Sequence, residues 1–108
     1  MNSKKKGSRG ERELAETLRG YGLDSHRNDQ RYVSGLENPD VSLPGVHIEV
    51  KRTEALRLYD SMNQAVRDAN GKAVPVVMHR RNRSPWLVVM RLEDWAAWYR
   101  GDDLYGEA

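Results

Sequence analysis

The chain has 108 residues, a mean hydropathy of −0.85, and 18 basic against 16 acidic side chains, for a formal net charge of +2. That length allows one domain with a modest core. The absence of cysteine removes disulfide frameworks and thiolate zinc sites, and the apolar runs at Val74 to Met78 and Trp86 to Met90 are too short to span a bilayer.

Residues 1–7 read as a disordered basic arm, and no apolar stretch follows Lys4-Lys5-Lys6, so a signal peptide is not expected and a cytoplasmic location is. A helix should start at Ser8 and run to about Arg19, with Ser8 as N-cap and Glu11 completing a capping box. Gly20 and Gly22 stop it. Leu14, Ala15 and Leu18 form its buried stripe. Glu11 falls on that stripe, whereas Glu13 and Glu16 fall opposite. An inward-facing acid is costly unless compensated, which singles out Glu11 beyond a capping role.

Leu23 to Arg27 reads as a short strand, and Asn28 to Asn38 as a polar loop with Ser34-Gly35 at its middle. The stretch Pro39 to Arg52, PDVSLPGVHIEVKR, reads as a hairpin turning at Leu43-Pro44-Gly45. In its second strand Val46, Ile48 and Val50 alternate with His47, Glu49 and Lys51, so the apolar three share the core side. Glu49 and Lys51 then project together from the other side. The return strand can bring Asp40 beside Glu49. Two carboxylates and an ammonium on one patch suit a divalent cation, although alternating charges also mark any half-exposed strand.

Thr53 to Arg57 should connect to a second helix over Leu58 to Asn70, with an apolar face of Leu58, Met62, Ala65, Val66 and Ala69 and a stop at Asn70-Gly71. Val74 to His79 and Trp86 to Leu92 read as strands apolar enough for central places in a sheet. Arg80 to Pro85 joins them as a basic loop. Glu93 to Arg100 reads as a closing helix whose Trp95 and Trp98 pack on the sheet. Residues 8–100 form the single domain, and 101–108 an acidic tail. The order α-β-β-β-α-β-β-α describes an α/β fold, a mixed sheet flanked by helices.

Basic residues gather at Lys4 to Arg9, Arg27 to Arg31 and His79 to Arg83, which points to a polyanionic partner. Arg27, Arg31, Arg80, Arg81 and Arg83 are the candidates for phosphate contacts, made largely without reading sequence. His26, His47 and His79 are scattered, which together with the lack of cysteine argues against zinc chemistry. His47 does share the strand face of Glu49, which leaves it a minor place near the site.

Pro39-Asp40 and Glu49-Val50-Lys51, followed by a helix and two strands, resemble the signature of the PD-(D/E)XK nuclease superfamily. Gly7-Ser8-Arg9-Gly10-Glu11-Arg12-Glu13-Leu14 and Ser34-Gly35 are similar to motifs of the archaeal-type Holliday junction resolvases and their phage relatives. The likeness runs from about Gly7 to Leu92. It implies a restriction-endonuclease-like fold and a Mg²⁺-dependent endonuclease, with Mn²⁺ able to substitute, in a prokaryotic or phage-infected cell. The resemblance casts Asp40, Glu49 and Glu11 as acidic metal-site residues with the Val50 carbonyl as a further ligand, and Lys51 as the catalytic lysine. Ser34 would lie near the scissile phosphate, and Gln64 matches a glutamine of many relatives, although its position off the apolar face also fits plain exposure. DNA, as four-way junctions, is the implied partner, cut by a homodimer meeting around Trp95 and Trp98 or on an outer strand. A replication-repair nuclease acting on flaps or duplex keeps the same chemistry, and a non-catalytic DNA-binding module keeps only the fold.

Overall fold

The computed structural model describes residues 3–27 and 41–102, and of residues 3–8, 26 and 27 the backbone only. The elements follow in the order α1 (Ser3–Gly20), β1 (His26–Arg27), β2 (Val41–Leu43), β3 (Val46–Arg52), α2 (Leu58–Ala69), β4 (Val74–Arg80), β5 (Leu87–Met90) and α3 (Leu92–Arg100). The strands form one mixed sheet in the order β1-β2-β3-β4-β5. Only β3 and β4 run parallel, because α2 carries the chain back between them; the other neighbours are antiparallel.

The two faces of the sheet bury different things, and strand alternation decides which. Ile48, Val76 and Met78 join Leu14, Ala15 and Leu18 of α1 in the larger core cluster, with Val46, Val50 and Leu43 packed against it. The opposite face presents Val77, which meets Met62 and Ala65 of α2. Ile48 is fully buried, and its register partner is Val76. The hairpin turns at Pro44-Gly45, where Gly45 takes a φ of 79°, the left-handed value that the second central residue of such a Pro-Gly turn requires.

Helix α1 lies close to β3. A Cβ at Gly10 would stand 2.7 Å from the Cβ of Arg52, the stiff root of that side chain. Gly10→Ala should therefore push α1 off the sheet and cost roughly 1–3 kcal/mol, read from the midpoint of chemical unfolding; an unchanged midpoint would show that the helix shifts freely. Ser25 ties the next segment down, its Oγ donating to the Ala15 carbonyl at 2.8 Å.

Several expectations need correction. Helix α1 starts at Ser3, so Ser8 is not its N-cap, and most of the lysine run expected to be disordered is helical. Lysine is a good helix former, and the capping pattern at Ser8 to Glu11 lies inside a longer helix. The first strand shrinks to two residues because Leu23 is solvent-exposed, with no core to join. Among the described residues β5 is a sheet edge and not a central strand, and Leu87 and Val88 are exposed. Leu58, counted in the apolar face of α2, is also exposed, while Ser61 is buried there instead. Trp95 and Trp98 stay 42% and 63% exposed, and Trp95 stacks on Tyr99 at 5.0 Å, so the two are only partly packed where they border the sheet residues Val76, Val88 and Met90. The acidic tail is described as far as Asp102, which accepts a hydrogen bond from Arg100.

Candidate active site

The alternation that sends Ile48 to the large core sends His47, Glu49 and Lys51 to the face beneath α2. Rising numbers on β3 meet falling numbers on α2. Lys51 Nζ donates to Gln64 Oε1 at 3.2 Å, and one turn further along the helix Asp68 reaches the neighbourhood of His47. Glu49 sits between them. Its Oε2 is 3.8 Å from Lys51 Nζ and its Oε1 is 3.8 Å from His47 Nε2.

The Glu49 side chain is only 9% exposed, and it accepts no hydrogen bond from a described residue, since both neighbours stand beyond hydrogen-bonding distance. A buried carboxylate in that condition is unfavourable on its own and is a ready ligand for a hard cation. Lys51 is less covered. It lines a concavity of about 370 Å³ at the carboxyl end of β3, together with Thr53, Ser61 and Gln64. The ammonium thus faces a space open to a ligand while its position is set by the helix. Gln64 is half-buried against Lys51, a contact that its place on the helix wheel did not reveal.

At the same end of the sheet the chain concentrates positive charge. Arg52, His79, Arg80, Arg81 and Arg83 lie at or just beyond the ends of β3 and β4, which are paired through Lys51↔His79 and Arg52↔Arg80. Not all are available to a ligand. Arg52 and Arg80 both donate to Glu13 Oε1, at 3.1 and 3.0 Å, and Arg80 also donates to the Ser84 carbonyl. Glu13, expected to face solvent, is therefore the clip that ties α1 to the ends of two strands. Glu54 accepts from the backbone N–H of Asn82, and Arg52 donates to Asn82 Oδ1, which pins the basic loop. Arg81 and Arg83 remain exposed. His79 Nε2 lies 2.8 Å from the Thr53 carbonyl, a structural role.

Glu11 is half-buried on α1, beside Gly10, which abuts Arg52 and Val50. That helix covers the face opposite α2. Asp40, Arg31 and Ser34 lie outside the described residues, as does the side chain of Arg27. The strand pairing that adjoins Asp40 in sequence is Val41↔Ile48. Two residues escaped sequence reasoning, Asp68 beside Glu49 and Glu13 at the ends of β3 and β4. Nothing in the sequence singled out Asp68 on the second helix, and Glu13 looked outward; each is identified only by a partner distant in the chain.

A family model described as "Phage putative PDDEXK endonuclease" matches residues 2–103. Among curated proteins no sequence matches. Among solved structures, that of the Holliday junction resolvase Hjc from the archaeal hyperthermophile Archaeoglobus fulgidus is similar, with a TM-score of 0.58 and 28% identity over 77% of this chain and 75% of the other. The mixed sheet flanked by helices is thus shared with a resolvase. Among the described residues no helix is long and apolar enough to cross a membrane.

Proposed function

Because the chain belongs to the phage PDDEXK endonuclease family, we propose that it is a Mg²⁺-dependent, structure-selective endonuclease that hydrolyses phosphodiesters in branched DNA, four-way junctions foremost. The observation that carries this reading is the pairing of buried Glu49 with Lys51 on one strand face, at the end of the sheet where the basic residues gather. Similarity to a structure titled as a Holliday junction resolvase supports the choice of substrate.

Glu49 and Asp40 would hold the ion with the Val50 carbonyl, and Glu11, on the helix over the other face, would add a carboxylate only from around the end of β3, where Gly10 meets Arg52. When bound, Mg²⁺ supplies Lewis acidity toward a phosphoryl oxygen and makes water a better nucleophile; Mn²⁺ can take the same oxygen donors. The chain's own contribution is positional. Gln64 fixes the Lys51 ammonium, which places positive charge where a phosphoryl oxygen gains negative charge in the transition state. The low solvent exposure around Glu49 keeps that interaction strong. Ser34 is assigned to the neighbourhood of the scissile phosphate, and Arg27 and Arg31 to the DNA backbone.

Arg81 and Arg83 are assigned to phosphates for a reason the structure supplies, since their guanidinium groups are exposed while that of Arg80 is engaged by Glu13. Arg81→Ala combined with Arg83→Ala should weaken junction binding and lower the slope of log affinity against log salt by about 1 to 2. An unchanged slope would turn this loop away from DNA.

Symmetric cutting of a junction calls for two copies of the site, so a two-fold dimer belongs to the proposal. An apolar groove of about 650 Å³ bounded by Val46, Val76, Val88, Met90, Trp95 and Trp98 is the face assigned to the second copy. A panel of a synthetic four-way junction, a flap and a linear duplex, each with Mg²⁺ or EDTA, tests the reading. Paired nicks in the junction alone are expected. Cutting of flap or duplex instead would make this a repair-type nuclease, and binding without cutting a non-catalytic module.

A further inference from the structure

We propose that His47, Glu49 and Asp68 form a cation site of their own, built for a divalent transition ion that accepts an imidazole, with Mn²⁺ held in preference to Mg²⁺. One ligand atom from each residue lies within 4.8 Å of the others, across the seam between β3 and α2. The site shares Glu49 with the catalytic set of the preceding section but contains neither Asp40 nor Lys51. Its existence therefore does not depend on the endonuclease reading.

Three observations converge on it. The first is burial at ion-pair distance: the side chains of His47 and Glu49 are 7% and 9% exposed, and His47 to Glu49 and Glu49 to Lys51 are each 3.8 Å apart, with no hydrogen bond to a described residue. A largely buried imidazole and carboxylate held only at ion-pair distance keep lone pairs for a further partner, and a cation between them would supply it. The second is spacing. His47 Nε2 and Glu49 Oε1 are 3.8 Å apart, too far for a hydrogen bond. Two atoms that each lie about 2.1 Å from one ion can stand up to about 4.2 Å apart, so 3.8 Å already accommodates an ion between them. The widest separation, 4.8 Å, needs closure by less than roughly 1 Å.

The third observation is the donor set. Mg²⁺ prefers oxygen alone and keeps its waters, whereas one imidazole nitrogen with two carboxylates suits Mn²⁺ and its neighbours in the transition series. Two carboxylates also balance the ion's charge beside Val77, the fully buried register partner of Glu49. Asp68, half-buried at the edge of α2, provides the way in. The histidines looked scattered in the sequence, and it is the fold that sets one of them against two acids.

The test uses the full chain, the metals themselves and a spectroscopic readout. Substoichiometric Mn²⁺ should broaden the His47 imidazole resonances in NMR spectra, and an equal concentration of Mg²⁺ should not restore them. In titrations that count free Mn²⁺ by electron paramagnetic resonance, His47→Gln and Asp68→Asn should each weaken this site by about tenfold or more, whereas Asp40→Asn and Lys51→Ala should leave it intact. Sharp His47 signals in Mn²⁺, their recovery with equal Mg²⁺, or wild-type binding by folded His47→Gln and Asp68→Asn would each overturn the proposal. Should either variant fail to fold, the spectra of Asp40→Asn decide: His47 broadening that survives there supports the proposal, and its loss would assign the ion to the catalytic set and overturn the proposal. Lys51→Ala separates the two readings. If it loses cleavage and keeps the broadening, both stand, and an inactive wild type that still shows the broadening would remove the endonuclease reading only.

Discussion

Lys51→Ala is expected to reduce DNA cleavage by at least about a hundredfold while leaving junction affinity within a few-fold. The ammonium is a point charge held 3.2 Å from Gln64 Oε1 and 3.8 Å from Glu49 Oε2, at the edge of an open concavity. If Lys51 acts as proposed, its removal takes away preorganised positive charge at the reacting phosphate and little else, because Lys51 is only half-buried and contributes no part of either core. Binding energy to DNA is spread over many backbone contacts, so losing one charge out of them is a small change. Single-turnover cleavage rates and filter-binding affinities for the same variant check both halves. A variant that still cuts at the wild-type rate would take Lys51 out of the chemistry. One that loses affinity in proportion to rate would make it a binding residue instead.

Ile48→Ala should have the largest effect on stability of any single truncation in β3, a loss of about 3 kcal/mol, or roughly 15 °C in melting temperature for a domain of this size. Ile48 is 0% exposed and lies in the centre of the sheet between Val41 and Val76, facing α1. The cavity left behind cannot collapse easily, because both neighbouring strands are held by ladders of hydrogen bonds. The residue also separates His47 from Glu49, so loosening the strand there should degrade metal binding along with the fold. Differential scanning calorimetry of the two proteins provides the check. A shift of only a few degrees would mean that the core around Ile48 is less tightly packed than its burial indicates.

These two residues also show how much of the molecule could be read before any coordinates. The alternation of Val46, Ile48 and Val50 with His47, Glu49 and Lys51 is a property of extended backbone, and it placed each side chain on the face where it is found. The order of elements followed from similar local signals, with Pro44-Gly45 and Asn70-Gly71 marking a turn and a helix end that the structure keeps. Local signals failed where a distant partner decides the outcome. Glu13 looked solvated because its own helix puts it away from Leu14 and Leu18, but Arg52 and Arg80 approach from 39 and 67 residues along the chain. Asp68 was hidden for the same reason, and Gln64 was legible only through the resemblance, since only the packing of α2 over β3 brings them to His47 and Lys51. β5 has the composition of a central strand, and nothing in Leu87 to Met90 says that no strand follows it among the described residues.

The tie between α1 and the strand ends has a functional consequence. Glu13 holds Arg52 and Arg80 in place, and Arg52 in turn anchors Asn82 of the basic loop. The loop that presents Arg81 and Arg83 is thereby fixed relative to the end of β3 that carries Lys51. Lys51 and the exposed Arg81 and Arg83 are thus set by one framework.

The most direct measurement compares wild type with Glu49→Gln on a labelled four-way junction, each in Mg²⁺ and in EDTA, with circular dichroism confirming that the variant is folded. Glutamine keeps the size of the buried side chain and removes its charge. Cleavage is expected only from wild type and only in Mg²⁺. A folded Glu49→Gln that cuts as fast as wild type, or cutting that persists in EDTA, would contradict the assignment of this strand face as a metal-dependent nuclease site.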